Sequence, residues 1–540
     1  MLQASAAFLL FTFYVELIFM KILGHKKSCY PQRLSTALVA FLLLFNAVGC
    51  TQKPSTPESD RVQTSIENRE NSVKPQRFDG ITITVATYDK PIGVGVERRA
   101  REFEQLTGAR VNMVKFPLQD TFTSIQREFA NKTNKYDVVI FTPQWMKDFV
   151  KPGYLENLTS RVEADSQLEW DDIAPFFQNF TATYKEQIYG VPVDGDFHMV
   201  YYRTDLLAKA ALEPPRTWDN YLAIAKQLHG KDFNDDGIPD YGSCIPKKPK
   251  NVNHQMFWSV ASPFLQSQGT EEGGFFDPET MKPLVNNQAF AKALDIYQET
   301  SKYAPPEELS LGLEEARKLF LSGRCALTLD WGDMGTLAVD PAISKVRNKV
   351  GASILPGSKE VLDRTTGKLV ACDKFTCPYA IDGVNHAPYA ATAGWVGGIN
   401  AAAKGEVKDA GYALISYISQ PAQSNVDVTI GITGFNPYRI SQFTNREAWL
   451  EAGMEEETVT KYLGGISVSL NNPNMVLELR IPENALYQRT LLDNALASFL
   501  TGQITRDETM EQIEREWEKV TNQMGRDSQL ESYRDSLGVE

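Results

Sequence analysis

Asp232-Phe-Asn-Asp-Asp-Gly-Ile-Pro-Asp240 is the densest run of metal-type ligands in this chain. Asp232, Asn234 and Asp236 stand at positions 1, 3 and 5 of a calcium loop, with Gly237 at 6, the carbonyl of Ile238 at 7 and Asp240 at 9. Calcium is a hard cation that takes oxygen ligands, and this spacing delivers them in order. Ser243 replaces the bidentate Glu at position 12, so a full site needs a carboxylate from elsewhere. The alternative is an acidic turn held by Asx hydrogen bonds. The expectation is a structural calcium, remote from the main activity, with no cofactor for activity itself. Catalytic patterns are missing: no G-x-S-x-G, His-Glu-x-x-His or P-loop occurs in the patterned region. Asp194 and Asp196 could imitate a glycosidase pair, but such carboxylates normally come from separate segments. An enzyme is therefore not expected.

Cys50 carries a different chemistry. Lys26, Lys27 and Arg33 precede an apolar core from Thr36 to Phe45, and small residues then lead to the Cys. That order is a secretory signal. A Cys in this place resembles the bacterial lipobox, where the thiol is lipidated and becomes the first residue, although Ala47 stands where Leu is usual. The uncharged run is shorter than the ~20 residues of a bilayer span. Residues 1–49 thus read as a signal segment, with Met20 as the true start, and residues 50–80 as a lipid-anchored, disordered tether. Beyond it stand Cys244, Cys325, Cys372 and Cys377, an even number in an oxidising compartment. Cys372 and Cys377 enclose four residues and read as a stapled loop, leaving Cys244–Cys325 as the longer link. Cys-x4-Cys without a nearby His is a poor zinc pattern. The net charge is -13 and becomes -16 once the basic signal is removed, which argues against nucleic acid as a partner.

The elements that must position any site begin at Ile81. Ile81, Ile83 and Val85 alternate on one face of a strand ending at Tyr88. Val96, Ala100, Phe103 and Leu106 recur at helical spacing, and Gly108 suits a C-terminal cap. Val111–Phe116 is a second strand, Ile125–Asn131 a helix, and Tyr136–Phe141 an apolar strand covered on both sides. This alternation predicts an α/β fold with a parallel sheet, whose ligands sit beyond the carboxyl ends of the strands. Those ends are Thr87-Tyr88-Asp89-Lys90 and Thr142-Pro143-Gln144-Trp145. Thr217 reads as a helix N-cap with Trp218 packed in the first turn. Thr505-Arg-Asp-Glu508 is a capping box, followed by the stripe Met510, Ile513, Trp517, Val520 and Met524. The roughly 460 residues after the tether are too many for one core and suit two lobes.

Tyr189-Gly-Val-Pro-Val-Asp-Gly-Asp196, Val200-Tyr-Tyr-Arg-Thr-Asp-Leu-Leu207 and Pro214-Pro-Arg-Thr-Trp218 follow in close order. Phe320–Trp331, Trp395–Asn400 and Gly431–Arg439 come later. Together these segments resemble the extracellular solute-binding proteins of bacterial ABC importers, in the maltose-type, sugar-binding branch (family 1), over most of residues 81–540. The resemblance implies a periplasmic-binding-protein-like fold: two α/β lobes joined by hinge strands, with solute held in the cleft between them. The N-terminal lobe would take 81–197 plus 391–420, and the C-terminal lobe 198–390 plus 421–540. It further implies a monomer facing the periplasm or cell exterior, with a sugar or polyol as ligand and a membrane permease as partner. A non-sugar solute, or a sensory role on the same fold, is the alternative.

A sugar cleft needs flat aromatic faces and a few convergent polar groups. Tyr88, Asp89 and Lys90 follow the first strand and Trp145 follows the third. Asp194 and Asp196 lie at the first crossover, Trp331 and Asp333 at another strand end, and Trp395 before a Gly-Gly pair. Trp258 and Tyr438 complete the candidate set. Trp517 is expected in the core.

Overall fold

The computed structural model describes residues 76–539. The signal segment, Cys50 and the tether up to residue 75 lie outside the described residues. The strands that matter below are β1 (Thr82–Tyr88), β2 (Arg110–Phe116), β3 (Val138–Phe141), β4 (Val191–Pro192), β5 (His198–Arg203), β6 (Tyr241–Ser243), β7 (Cys325–Trp331), β8 (Val350–Ser353), β9 (Tyr389–Ala390), β10 (Val396–Ile399) and β11 (Val476–Leu477). The helices that matter below are α1 (Ile92–Thr107), α2 (Leu118–Ala130), α3 (Trp218–Leu228), α4 (Asn253–Leu265), α5 (Arg506–Met524) and α6 (Arg526–Leu537).

Two sheets organise two lobes. The first has the order β2-β1-β3-β10-β4, with β1 parallel to β2 and β3, and β10 antiparallel to β3 and β4. Ile83 and Val85 of β1 and all of β3 are buried, so this sheet is covered on both faces as its apolar runs require. The second sheet has the order β8-β5-β7-β6. Its central β7 is buried along its whole length. β9 pairs with β11 in a small separate ladder. Among the described residues no helix is long and apolar enough to cross a membrane.

Local signals explain most helix ends. Gly108 caps α1 in the left-handed conformation, φ 78°, and its N–H donates to Glu104 O. Thr217 caps α3 through Asn220 N–H, and Thr505 caps α5 through Glu508 N–H. Met510, Ile513, Trp517 and Val520 are buried along α5, whereas Met524 in its last turn is exposed, as is Leu106 on α1. α2 starts at Leu118, two turns earlier than expected, because Pro117 closes the preceding loop while the first turn is too polar to show an apolar period. The structure joins Cys244 to Cys325 and Cys372 to Cys377.

One boundary moves, and one segment is shared. Phe78, placed in the tether by composition, is buried against Phe103 at 6.2 Å, and its N–H donates to Thr107 O, so the folded part begins before Ile81. Residues 421–439, assigned to the second lobe, touch both lobes, with Asn436 accepting the N–H of Asp333 on the second. Asp427 pairs with Arg98 and Arg99 of α1, and Arg439 pairs with Asp172.

Candidate functional site

The chain crosses between the sheets where β4 runs through Val193–Phe197 into β5, and it passes from the small β9 ladder into the first sheet where β9 runs through Ala391–Trp395 into β10. The loop around Gly434–Tyr438 packs against both crossings. A Cβ on Gly195 would lie 2.8 Å from Tyr438, and one on Gly394 would lie 2.1 Å from Asp194 O. Only glycine permits these backbones to touch.

Asn436 ties this junction together. Its Nδ2 donates to Asp194 Oδ1 at 3.0 Å and to Asp196 Oδ1 at 2.8 Å, and its own backbone N–H donates to Asp194 at 2.6 Å. Its Oδ1 accepts the N–H of Asp333 at 2.6 Å. Asp333 in turn pairs with Arg317 at 2.7 Å, and the same guanidinium holds Asp330 of β7 at 2.6 Å. Burial pushes Asp194 up to about 7 against the hydrogen bonds from Asn436. Burial, then the neighbouring Asp194, pushes Asp196 well up too. Burial lifts Asp330 to about 6 although Arg317 opposes it. Burial thus disfavours the charged forms of Asp194, Asp196 and Asp330, with the guanidinium of Arg317 the one cation paired into the junction.

Beside it lies an aromatic patch. Tyr88, at the end of β1, stacks on Trp395 with ring centroids 5.6 Å apart and planes 18° apart. Trp145 meets Trp395 edge-on at 6.1 Å. Tyr88 and Trp145 are half-buried, which leaves ring surface free. Trp331 closes the other side, its Nε1 donating to Ala391 O at 3.3 Å and its ring edge-on to His198 at 4.2 Å. Lys90 is exposed beside the patch, while Asp89 faces Lys115 at 3.8 Å.

The structure thus brings Tyr88, Trp145, Trp331 and Trp395 to the same junction as Asp194, Asp196 and Asp333. It excludes two candidates. Trp258 is fully buried in α4, with its ring 3.9 Å from Phe275 and 6.5 Å from Trp517, so it is core and no ligand contact. Tyr438 is equally buried, with its hydroxyl 3.1 Å from Ser419 Oγ inside the first lobe. Asp194 and Asp196 share the Asn436 amide and are both buried.

The acidic loop is held by its own backbone. Asp232 accepts N–H groups from Asn234, Asp236 and Gly237, while Asp236 and Asp240 pair with Arg324 at 3.0 and 3.1 Å. Ile238 is exposed. These are hydrogen bonds of the Asx type. Among the described residues no group of three His, Cys, Asp or Glu side chains is placed to hold a metal ion.

Sequence reasoning missed the groups that arrive from far along the chain. Glu478, just past β11, accepts N–H groups from Gln144 and Gln255, both at 3.1 Å, and from Thr392. Asn436 lies inside a quoted motif and Gln144 inside a quoted strand end, and either could have been read as a polar partner. Glu478 and Arg480 carry no periodic or motif signal.

A family model described as bacterial extracellular solute-binding protein matches residues 98–441. The mannitol-binding protein of Pseudomonas aeruginosa is 27% identical over 291 residues, covering 52% of this chain and 62% of that protein. An erythritol/L-threitol-binding protein of Mycolicibacterium smegmatis is 21% identical over 211 residues, covering 37% of this chain and 42% of that protein. The chain thus spans less than two thirds of the length of these curated relatives. Among solved structures, an ABC transporter solute-binding protein from Agrobacterium radiobacter K84 in complex with ribitol superposes with a TM-score of 0.65 at 23% identity, covering 82% of this chain and all of that one. The maltose-bound MalE3 of T. maritima gives 0.62 at 20%, covering 82% and 100%. At such identities the likeness is one of fold.

Proposed function

The chain belongs to the bacterial extracellular solute-binding protein family, and we propose that it captures a sugar or polyol between its lobes and delivers it to an ABC permease. The observation that carries this reading is the stacked Tyr88–Trp395 pair with Trp145 at its edge and the polar side chains of Asp89 and Lys90 beside it. Sugar and polyol C–H faces lie on such rings while hydroxyls exchange hydrogen bonds with carboxyl and amide groups. The mannitol-binding relative favours a polyol among these solutes. The relatives described here are binding proteins, and the chain's part in uptake is capture, without chemistry on the solute. Export under the amino-terminal signal and lipidation at Cys50 would keep the protein at the membrane face where the permease works. Radiolabelled fatty acid incorporated into the wild type and absent from Cys50→Ser tests the anchor.

A thermal-shift panel tests the ligand. Mannitol, ribitol, lactose and maltose are compared with polyamines and inorganic phosphate. A neutral sugar or polyol should raise the melting temperature, and Tyr88→Ala should abolish that rise while leaving the unliganded melt nearly unchanged, since Tyr88 is half-buried. Stabilisation by polyamines or phosphate alone would overturn the reading.

A further inference from the structure

Five lysine and arginine side chains are buried among the described residues. Arg99 meets Asp427 at 2.7 Å, Arg203 meets Asp205 at 2.6 Å, Lys247 meets Glu308 at 2.9 Å and Arg439 meets Asp172 at 3.3 Å. Arg480 is 8% exposed and makes no ion pair among the described residues. Its Nη1 donates to Phe180 O, while Nε and Nη2 are sealed inside the protein without a partner. Glu478 lies two residues away in the chain, but its oxygens already take N–H groups from Gln144, Gln255 and Thr392. Burial pulls Arg480 down to about 10 although Glu478 and Tyr389 oppose it, as expected for an under-compensated cation.

This cation stands where the lobes meet. Phe180 belongs to the segment that leads into β4 of the first sheet, and the adjacent Thr181 donates to Ala393 O on the approach to β10. Arg480 follows β11 and enters the segment whose Tyr487 packs on Trp517 of α5 at 5.5 Å, on the second lobe. Gln144, at the end of β3, faces the same seam from the first lobe. Its Nε2 donates to Glu478 at 3.1 Å, and its Oε1 is buried without a partner. Two effects compete at Arg480. The bond to Phe180 O ties the lobes together, whereas the burial of a guanidinium with no carboxylate of its own drives them apart. One charge-assisted hydrogen bond returns less than the burial of an unpaired ion costs, so the second effect wins.

We propose that Arg480 is a spring built into the seam that opposes closure of the lobes. Parting them breaks the bond to Phe180 O and lets water reach both the guanidinium and Gln144 Oε1. The unliganded protein is thereby biased toward the open form, and a captured solute must supply the free energy that keeps Arg480 shut in. The effect on solute rests on the capture reading, while the bias itself belongs to the unliganded protein.

Arg480→Met and Arg480→Lys separate charge from bulk, because Met removes the charge at similar length and Lys keeps it. Without solute, Arg480→Met should have a smaller radius of gyration by solution scattering than wild type. Its melting temperature should not fall, since an unpaired buried charge is being removed. Arg480→Lys should stay at the wild-type radius. Calorimetry with mannitol and ribitol should give Arg480→Met an affinity about tenfold higher, with most of the gain in slower release followed by tryptophan fluorescence. An unchanged or larger radius for Arg480→Met, a lower melt, or Arg480→Lys closing as Arg480→Met does would each overturn the proposal and make the bond to Phe180 O a latch. If neither mannitol nor ribitol binds any of the three proteins, the polyol reading falls, and scattering and melting of the unliganded proteins still decide whether Arg480 opposes closure.

Discussion

Trp258 and Trp145 show what decides the role of a tryptophan. Both follow segments rich in apolar residues, yet Trp258 lies among Phe275, Phe290 and Trp517 while Trp145 keeps part of its ring open beside Trp395. Trp258→Ala should therefore cost about 3–5 kcal/mol in urea unfolding, the range for emptying a large aromatic site, and leave solute affinity unchanged. A variant of normal stability with weakened binding would return Trp258 to the cleft. Strand ends made Tyr88 and Trp145 legible, because ligand position in an open α/β sheet follows from topology. The surroundings of Trp258 were not legible, since its partners lie up to 259 residues away in sequence. Asp194 adds a pH signature. Burial raises its folded-state value from 3.8 to about 7, so the folded protein holds a proton that the unfolded chain releases. Its stabilising contribution is complete below the unfolded value and is lost as pH rises through about 7. Asp194→Asn cannot titrate. Its stability relative to wild type should improve steadily between pH 4 and pH 8, and a constant difference across that range would show that Asp194 ionises normally.

At the scale of elements, the second crossover stores strain. Thr392, Ala393 and Gly394 have φ of 69°, 58° and 93°, three left-handed residues in succession, the first of them β-branched. Such backbone persists only where its surroundings hold it. Here Thr392 N–H donates to Glu478, its carbonyl accepts from Gln144, and the carbonyl of Ala393 accepts from Thr181. Gly394→Ala combines the positive φ with a Cβ 2.1 Å from Asp194 O. It should cost about 3 kcal/mol or more. Gly502→Ala, with φ 72° but nothing within 4 Å, should cost only about 1 kcal/mol. Equal losses in urea titrations would mean that the crossings do not pack as tightly as described. The elements themselves were largely readable: β1, α1, β2 and β3 follow from alternation and caps. The second sheet was not, because β5, β6, β7 and β8 are drawn from residues 198 to 353 and their pairing leaves no local mark. Nor was the strained turn, since only Gly394 among its residues announces a positive φ.

At the scale of the molecule, α6 bridges the two lobes from one side. Its Tyr533 hydroxyl accepts the N–H groups of Phe275 at 3.1 Å and Phe276 at 3.3 Å, and Arg526 donates to Met281 O at 3.1 Å, which fixes the helix to the second lobe. From its other face Ser532 and Asp535 reach the first lobe, where Lys147 lies 2.8 and 3.2 Å away and the Tyr184 hydroxyl donates to Asp535 at 3.2 Å. Solute binding can shift an open–closed equilibrium only by favouring one state, and these contacts belong to the state in which the lobes are together. Asp535→Asn removes a partly exposed ion pair worth about 1 kcal/mol, enough to change the closed-to-open ratio about fivefold. The variant should show a larger unliganded radius of gyration by solution scattering. Its solute affinity should fall by about the same factor, because the ligand must then supply the lost bias. Raising the salt concentration should weaken wild-type affinity more than that of the variant, as screening acts on the charge the variant lacks. If Asp535→Asn leaves scattering, affinity and salt dependence unchanged, α6 rests against the first lobe without holding it, and closure is governed by the Asn436 junction alone.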